Sequence, residues 1–126
     1  MSPEGEEKRI LVVEDAFLIG MDLKISLEQL GWVVLGPAPS ASRAMSILER
    51  EACDAAILDV NLGRETSESV ADYLTNHHVP YFFLTGYDSL NIKDPALQQM
   101  PLYRKPMNRE GLADAIKKHL DNGKAA

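Results

Sequence analysis

Apolar residues in this chain gather in five short unbroken runs: Ile-Leu-Val-Val at 10–13, Trp-Val-Val-Leu at 32–35, Ala-Ala-Ile-Leu at 55–58, Tyr-Phe-Phe-Leu at 81–84 and Leu-Tyr at 102–103. A strand with one wet face alternates apolar and polar positions, so these runs predict strands buried on both faces. The segments between them are long enough for crossover helices and carry helical spacing: Ala41, Ala44, Met45 and Leu48 in one, and Leu112, Ala115, Ile116 and Leu120 in the last. In the first segment, Ile19, Leu23, Leu27 and Leu30 fall on one face expected to pack on the sheet. Phe17, Leu18, Met21 and Ile25 form a second stripe, expected to be buried between the sheet and the fifth helix; the alternative is that part of it docks a partner.

Boundary residues agree with this pattern. Gly31 follows the first helical stretch, Ser40 and Asn108 are placed to cap the second and fifth, and Lys117, Lys118 and His119 suit a last turn. Pro95 forces the fourth helix to start late, break or kink. Strand and helix thus alternate five times, which predicts an α/β fold: a single doubly wound parallel sheet of five strands, flanked on both faces by five helices with right-handed crossovers. With 126 residues there is room for one domain, 1–126, whose core runs from about 9 to 120 between frayed ends.

Composition narrows the function. A formal charge of -6 repels phosphate backbones and anionic lipid, which disfavours nucleic acid as a partner. No apolar stretch approaches the roughly 20 residues of a membrane span, so no membrane partner and a cytoplasmic location are expected. Cys53 is the only cysteine, so it builds neither a disulfide nor a thiolate cluster within one chain and reads as a small apolar residue. His77 and His78 are adjacent and far from His119, which is not zinc spacing; the pair reads as a helix end.

The site of an open parallel sheet lies outside the carboxyl ends of its strands. Glu14 and Asp15 leave the first strand, Asp59 the third, Thr85 and Gly86 the fourth, and Lys105 and Pro106 the fifth. Two carboxylates 4 Å apart repel by roughly 4 kcal/mol at an effective dielectric near 20, so a cluster of them calls for positive charge. Hard oxygen donors without histidine or thiolate suit magnesium, with manganese as the second candidate. Lys105 supplies a further cation able to meet a carboxylate or a phosphoryl oxygen, and the proline behind it restricts where it points. Thr85 offers a donor, and Gly86 leaves space beside it.

Taken together, Glu-Asp, Asp, Thr-Gly and Lys-Pro at successive strand ends resemble the receiver domain of two-component response regulators. The intervals agree: 44 residues from Asp15 to Asp59, 26 to Thr85 and 20 to Lys105. The resemblance runs from about Arg9 to Leu120 and implies a flavodoxin-like (βα)5 fold of strand order 2-1-3-4-5. It further implies that Asp59 is the phosphoacceptor for a histidine kinase or histidine phosphotransfer protein. Asp15 would then ligate Mg2+ directly, Glu14 through water and Asn61 through its backbone carbonyl, while Thr85 and Lys105 hold the phosphoryl oxygens and a cis peptide precedes Pro106.

Such a protein is a signalling phosphoacceptor and not an enzyme in the ordinary sense, catalysing only its own phosphotransfer and dephosphorylation. A stand-alone receiver acts on a downstream protein target, relays the phosphoryl group or serves as a phosphate sink, as a monomer or a phosphorylation-dependent dimer. Two departures bear on the switch. Leu102 occupies the usual aromatic switch position, and Tyr-Phe-Phe-Leu-Thr-Gly-Tyr at 81–87 resembles the FAT GUY receivers, making Gly86, Tyr87 and Pro106 the switch candidates. Gly63 replaces the usual proline after the phosphoacceptor, which predicts a more mobile loop. The alternatives are a degenerate receiver that only binds partners, and a magnesium-dependent phosphatase-like enzyme with an aspartyl nucleophile. The second needs an acid at position 61, where Asn61 stands.

Overall fold

The computed structural model describes residues 8–86 and 95–120. Five parallel strands form the main sheet: β1 (Arg9–Val13), β2 (Val33–Ala38), β3 (Ala55–Asp59), β6 (Tyr81–Thr85) and β7 (Leu102–Arg104). Their order, β2-β1-β3-β6-β7, is the expected 2-1-3-4-5 once strands outside this sheet are passed over. Helices α1 (Phe17–Gln29), α2 (Ala41–Arg50), α3 (Glu68–Asn76), α4 (Pro95–Gln98) and α5 (Arg109–His119) connect and cover it.

Successive strand residues enter opposite cores, which is why the apolar runs are unbroken. Leu11, Val13, Leu58 and Phe83 pack with Ala44, Leu48, Val70, Leu74 and Leu97 on one face. Ile10, Val12, Ile57, Phe82 and Leu84 pack with Leu23, Leu27, Leu112 and Ile116 on the other. Only the central strands are buried along the whole of their apolar runs. The edge strands β2 and β7 keep exposed positions, notably Val33 and Leu102, so burial on both faces holds for β1, β3 and β6 alone.

Local signals explain most boundaries. Ser40 Oγ accepts from Arg43 N at the start of α2, and Asn108 Oδ1 accepts from Gly111 N at the start of α5. Gly31, at φ +97°, ends α1, and α4 begins at Pro95, where a missing N–H costs nothing. The second strand starts one residue later than its apolar run and continues through a cis Gly36–Pro37 bond that composition did not signal.

In two places the structure departs from the sequence pattern. The segment after Asp59 forms a hairpin, β4 (Asn61–Leu62) with β5 (Glu65–Thr66), turning at Gly63 and Arg64. Gly63 has φ +72°, the left-handed conformation that two-residue hairpin turns require. The second stripe of α1 is not buried against α5 either: Phe17 is 75% exposed, Leu18 79% and Ile25 51%. In the first stripe Leu23 and Leu27 are buried, while Ile19 is exposed and Leu30 half-buried.

Candidate functional site: a carboxylate pocket at the carboxyl edge of the sheet

Parallel pairing aligns the strand ends. Val13 lies opposite Leu58 and Asp59 opposite Leu84, so Glu14, one residue past β1, leaves the sheet beside Asp59. Thr85 pairs with Arg104, and Lys105 N donates to Thr85 O at 2.9 Å, which brings the lysine to the same edge. Lys105 Nζ donates to Glu14 Oε1 at 2.8 Å and lies 3.2 Å from Asp59 Oδ2. The remaining carboxylate oxygens are also held: Ala16 N donates to Glu14 Oε2 at 3.0 Å and Asn61 N to Asp59 Oδ1 at 3.3 Å.

Glu14 and Asp59 are each 3% exposed, whereas Asp15 is open to solvent. One carboxylate oxygen from each of Glu14, Asp15 and Asp59 lies within 4.8 Å of the others. Burial above all, and then the charge of Glu14, pushes the Asp59 carboxyl up to about 7 against the opposing pull of Lys105. Burial alone would pull the Lys105 ammonium down. Its hydrogen bond to Glu14 and the charges of Asp59 and Glu14 outweigh that, and its pKa stands above the ordinary lysine value.

The pocket these groups enclose has a volume of about 490 Å³, and Asn61, Gly63, Gly86 and Ile19 complete its wall. A Cβ at Gly86 would stand 3.9 Å from Lys105 Cε, so glycine keeps the wall clear of the lysine stem. The expected cis bond joins Lys105 to Pro106. Thr85 is buried at the end of β6 and is not among the residues lining the pocket; its neighbour Gly86 is. Tyr87 lies outside the described residues.

The donor set fits a hard divalent cation. It offers three carboxylates without nitrogen or sulfur ligands, one of them solvent-facing for entry, and a buried Asp59 whose pKa is raised first by burial and then by the charge of Glu14. Elsewhere, Cys53 is half-buried against the core beside Asp54, and burial pushes its thiol up to about 11, which removes it as a nucleophile. His77 ends α3 with its ring stacked on Tyr73. Tyr103 OH lies 2.7 Å from His119 Nε2 and its ring meets Phe82 edge-on, a core and edge role on the face away from α2 and α3.

Sequence reasoning missed three participants. Ile19 lines both the carboxylate pocket and an adjoining apolar groove of about 590 Å³ floored by Leu23, Leu84, Pro106 and Met107. Ala16 contributes only a backbone N–H, which no side-chain pattern announces. The hairpin was legible in principle, because Gly63-Arg64 between Asn-Leu and Glu-Thr is a two-residue turn signal.

Fold and pocket together define a doubly wound α/β domain with an acidic, lysine-bridged pocket at its topological edge. This chain belongs to the response regulator receiver domain family, whose description matches residues 10–117. It is 31% identical over 114 residues to the phyllosphere-induced regulator PhyR of Methylorubrum extorquens, covering 88% of this chain and 43% of that regulator. The chain spans about half the length, or less, of the curated relatives it matches. Among solved structures, SdrG from Sphingomonas melonis Fr1 is 38% identical with a TM-score of 0.76, covering 88% of this chain and 94% of that one. A CheY-like receiver domain from Methanospirillum hungatei is 28% identical with a TM-score of 0.80, covering 94% and 97%.

Proposed function

We propose that this receiver accepts a phosphoryl group on Asp59 from the phosphohistidine of a histidine kinase or histidine phosphotransfer protein, with magnesium, or manganese in its place, held by Glu14, Asp15, Asp59 and the Asn61 carbonyl. The observation that carries this is the Lys105 ammonium held between buried Glu14 and Asp59 at 2.8 and 3.2 Å. Bound magnesium supplies the charge that lets the carboxylates and the incoming phosphoryl oxygens coexist.

The chain's own residues supply placement. An Asp59 carboxylate oxygen attacks phosphorus in line, the new O–P bond forms as the P–N bond breaks, and the electron pair stays on the donor's imidazole nitrogen. Asn61 N–H fixes the orientation of the Asp59 carboxylate, and Ala16 N–H that of Glu14. Lys105 turns from carboxylate to phosphoryl oxygen, and Thr85 donates to another, biasing a two-state rearrangement at the carboxyl edge. A population swing from 1:99 to 99:1 takes about 5.5 kcal/mol, which two or three charge-assisted hydrogen bonds at about 1.5 to 3 kcal/mol each supply. The protein catalyses only its own phosphotransfer and dephosphorylation.

The exposed Phe17 and Leu18 on α1, beside the apolar groove next to Lys105, support docking of the donor's helices there. Similarity to SdrG and PhyR supports the FAT GUY assignment, in which Tyr87 and Gly86 carry the switch and output passes in the cytoplasm by protein contact, relay or phosphate sink. Among the described residues no helix is long and apolar enough to cross a membrane. The test is direct: incubation with magnesium and acetyl phosphate should add the mass of one phosphoryl group, and Asp59→Ala should abolish the gain. A folded protein that gains none, from acetyl phosphate or from a kinase, overturns the proposal in favour of a partner-binding module.

A further inference from the structure

Three long helices begin at a residue suited to capping, yet only two of the caps are closed. At α2 and α5 the capping residues have extended backbones, φ −148° and ψ 163° at Ser40, φ −78° and ψ 172° at Asn108, and each accepts a bond from the third residue beyond it. Ser67 stands at the same place before α3 with φ −89° and ψ 15°, and makes no capping bond. Its hydroxyl is buried and has no hydrogen-bond partner among the described residues. A buried unpaired hydroxyl is costly, and here the right residue type sits in a backbone conformation that aims it away from its helix.

The segment that sets this conformation is the β4–β5 hairpin, which ends at Thr66. Its other anchor lies on a different helix. Glu65 Oε2 accepts from Ala41 N at 3.1 Å, joining Ser40 in satisfying the first turn of α2, where a carboxylate also complements the dipole. At its near end the hairpin is part of the carboxylate pocket: Asn61 and Gly63 line it, and Asn61 N donates to Asp59 Oδ1. One short ordered strap therefore touches the pocket, the start of α2 and the start of α3.

We propose that the hairpin is a two-position strap that reports occupation of the carboxylate pocket to α2 and α3. In the position seen here Glu65 holds the start of α2 and the Ser67 cap stays open. In the other, the hairpin shifts toward the occupied pocket, Glu65 releases Ala41 N, and rotation about ψ of Ser67 brings its Oγ onto the Val70 N–H. The proposal rests on the phosphoacceptor reading of the pocket and adds how that pocket is regulated.

Binding and strap position are linked, so each cap must alter affinity in the pocket although neither residue touches it. The probe is magnesium with beryllofluoride, titrated into the full chain and followed by the Gly86 amide in NMR spectra, with the Ala41 and Val70 amides as strap reporters. Glu65→Ala removes a bond belonging to the first position and should tighten binding about fivefold, whereas Ser67→Ala removes one belonging to the second and should weaken it about fivefold. Ser67→Thr should restore the wild-type value. A merely structural role would change the urea midpoints and leave both affinities alone. Equal affinities, or shifts of the same sign, overturn the strap, as do Ala41 and Val70 amides that stay still while Gly86 moves. Failure of the wild type to bind the probe at all sinks the phosphoacceptor reading and the strap together.

Discussion

Replacing Asp59 by asparagine should make the metal-free protein more stable, by an amount that depends on pH. Burial and the Glu14 charge raise the Asp59 carboxyl from 3.8 to about 7 in the folded chain. Because the folded value is the higher one, the folded state keeps its proton while the unfolded chain gives it up. Wild-type stability therefore falls as pH climbs from about 4 to about 7 and is level above that. At about 1.4 kcal/mol per pH unit the rise corresponds to at most about 4 kcal/mol, and relaxation of the pocket with water entry brings the expected gain to about 2 to 4. The asparagine amide has no such proton, so the Asp59→Asn minus wild-type difference should open across that window. Urea titrations followed by fluorescence of the buried Trp32, with a chelator present, read it out. Magnesium at 100 times its Kd should offset most of this difference, because it stabilises the wild type by about 2.7 kcal/mol, and at 1,000 times its Kd, where the figure is about 4.1 kcal/mol, it should close it. A difference that is flat with pH, or an Asp59→Asn protein that is the weaker one above pH 7 without metal, would refute the claim that like charge is crowded at this edge.

Other consequences are equally open to measurement. Lys105→Ala leaves Glu14 and Asp59 facing each other without their cation, so it should cost about 3 kcal/mol in urea titrations without metal and abolish phosphoryl uptake. Leu18→Ala should slow transfer from a cognate kinase severalfold while uptake from acetyl phosphate is unchanged, since Leu18 is exposed and outside the carboxylate pocket; equal slowing of both would remove α1 from docking. Ser40→Ala and Asn108→Ala should each lower stability by about 1 kcal/mol, read as a shift in urea midpoint, whereas Ser67→Ala, which removes a buried hydroxyl that bonds to nothing described, should not lower it.

How much of this was legible in the chain can be traced residue by residue. The central strands announced themselves because β1, β3 and β6 are dry on both faces and need no polar alternation. The edge strands did so less well: β2 runs on past its apolar run through Gly36 and Pro37, where the pattern stops being apolar. Strand-end chemistry was readable because parallel strands all deliver their last residues to one edge, and Glu14, Asp59 and Lys105 meet there as expected. Failures occurred where tertiary contacts decide the outcome. Helical periodicity identifies an apolar stripe on α1 but not whether anything covers it, and Phe17 and Leu18 are left bare. Composition alone made Gly63 a sign of looseness, yet the positive φ it permits closes a hairpin whose far side is fixed by Glu65 on a helix 24 residues away in sequence.

The central claim is that Asp59 carries the phosphoryl group in a metal-filled pocket. An acyl phosphate is reduced by borohydride to the alcohol, which turns an aspartate into homoserine, a change that tandem mass spectrometry locates by residue. After incubation with magnesium and acetyl phosphate, homoserine is predicted at position 59 and nowhere else, and a chelator should abolish it. Homoserine at Asp15 or another carboxylate, or at 59 regardless of metal, would contradict the account.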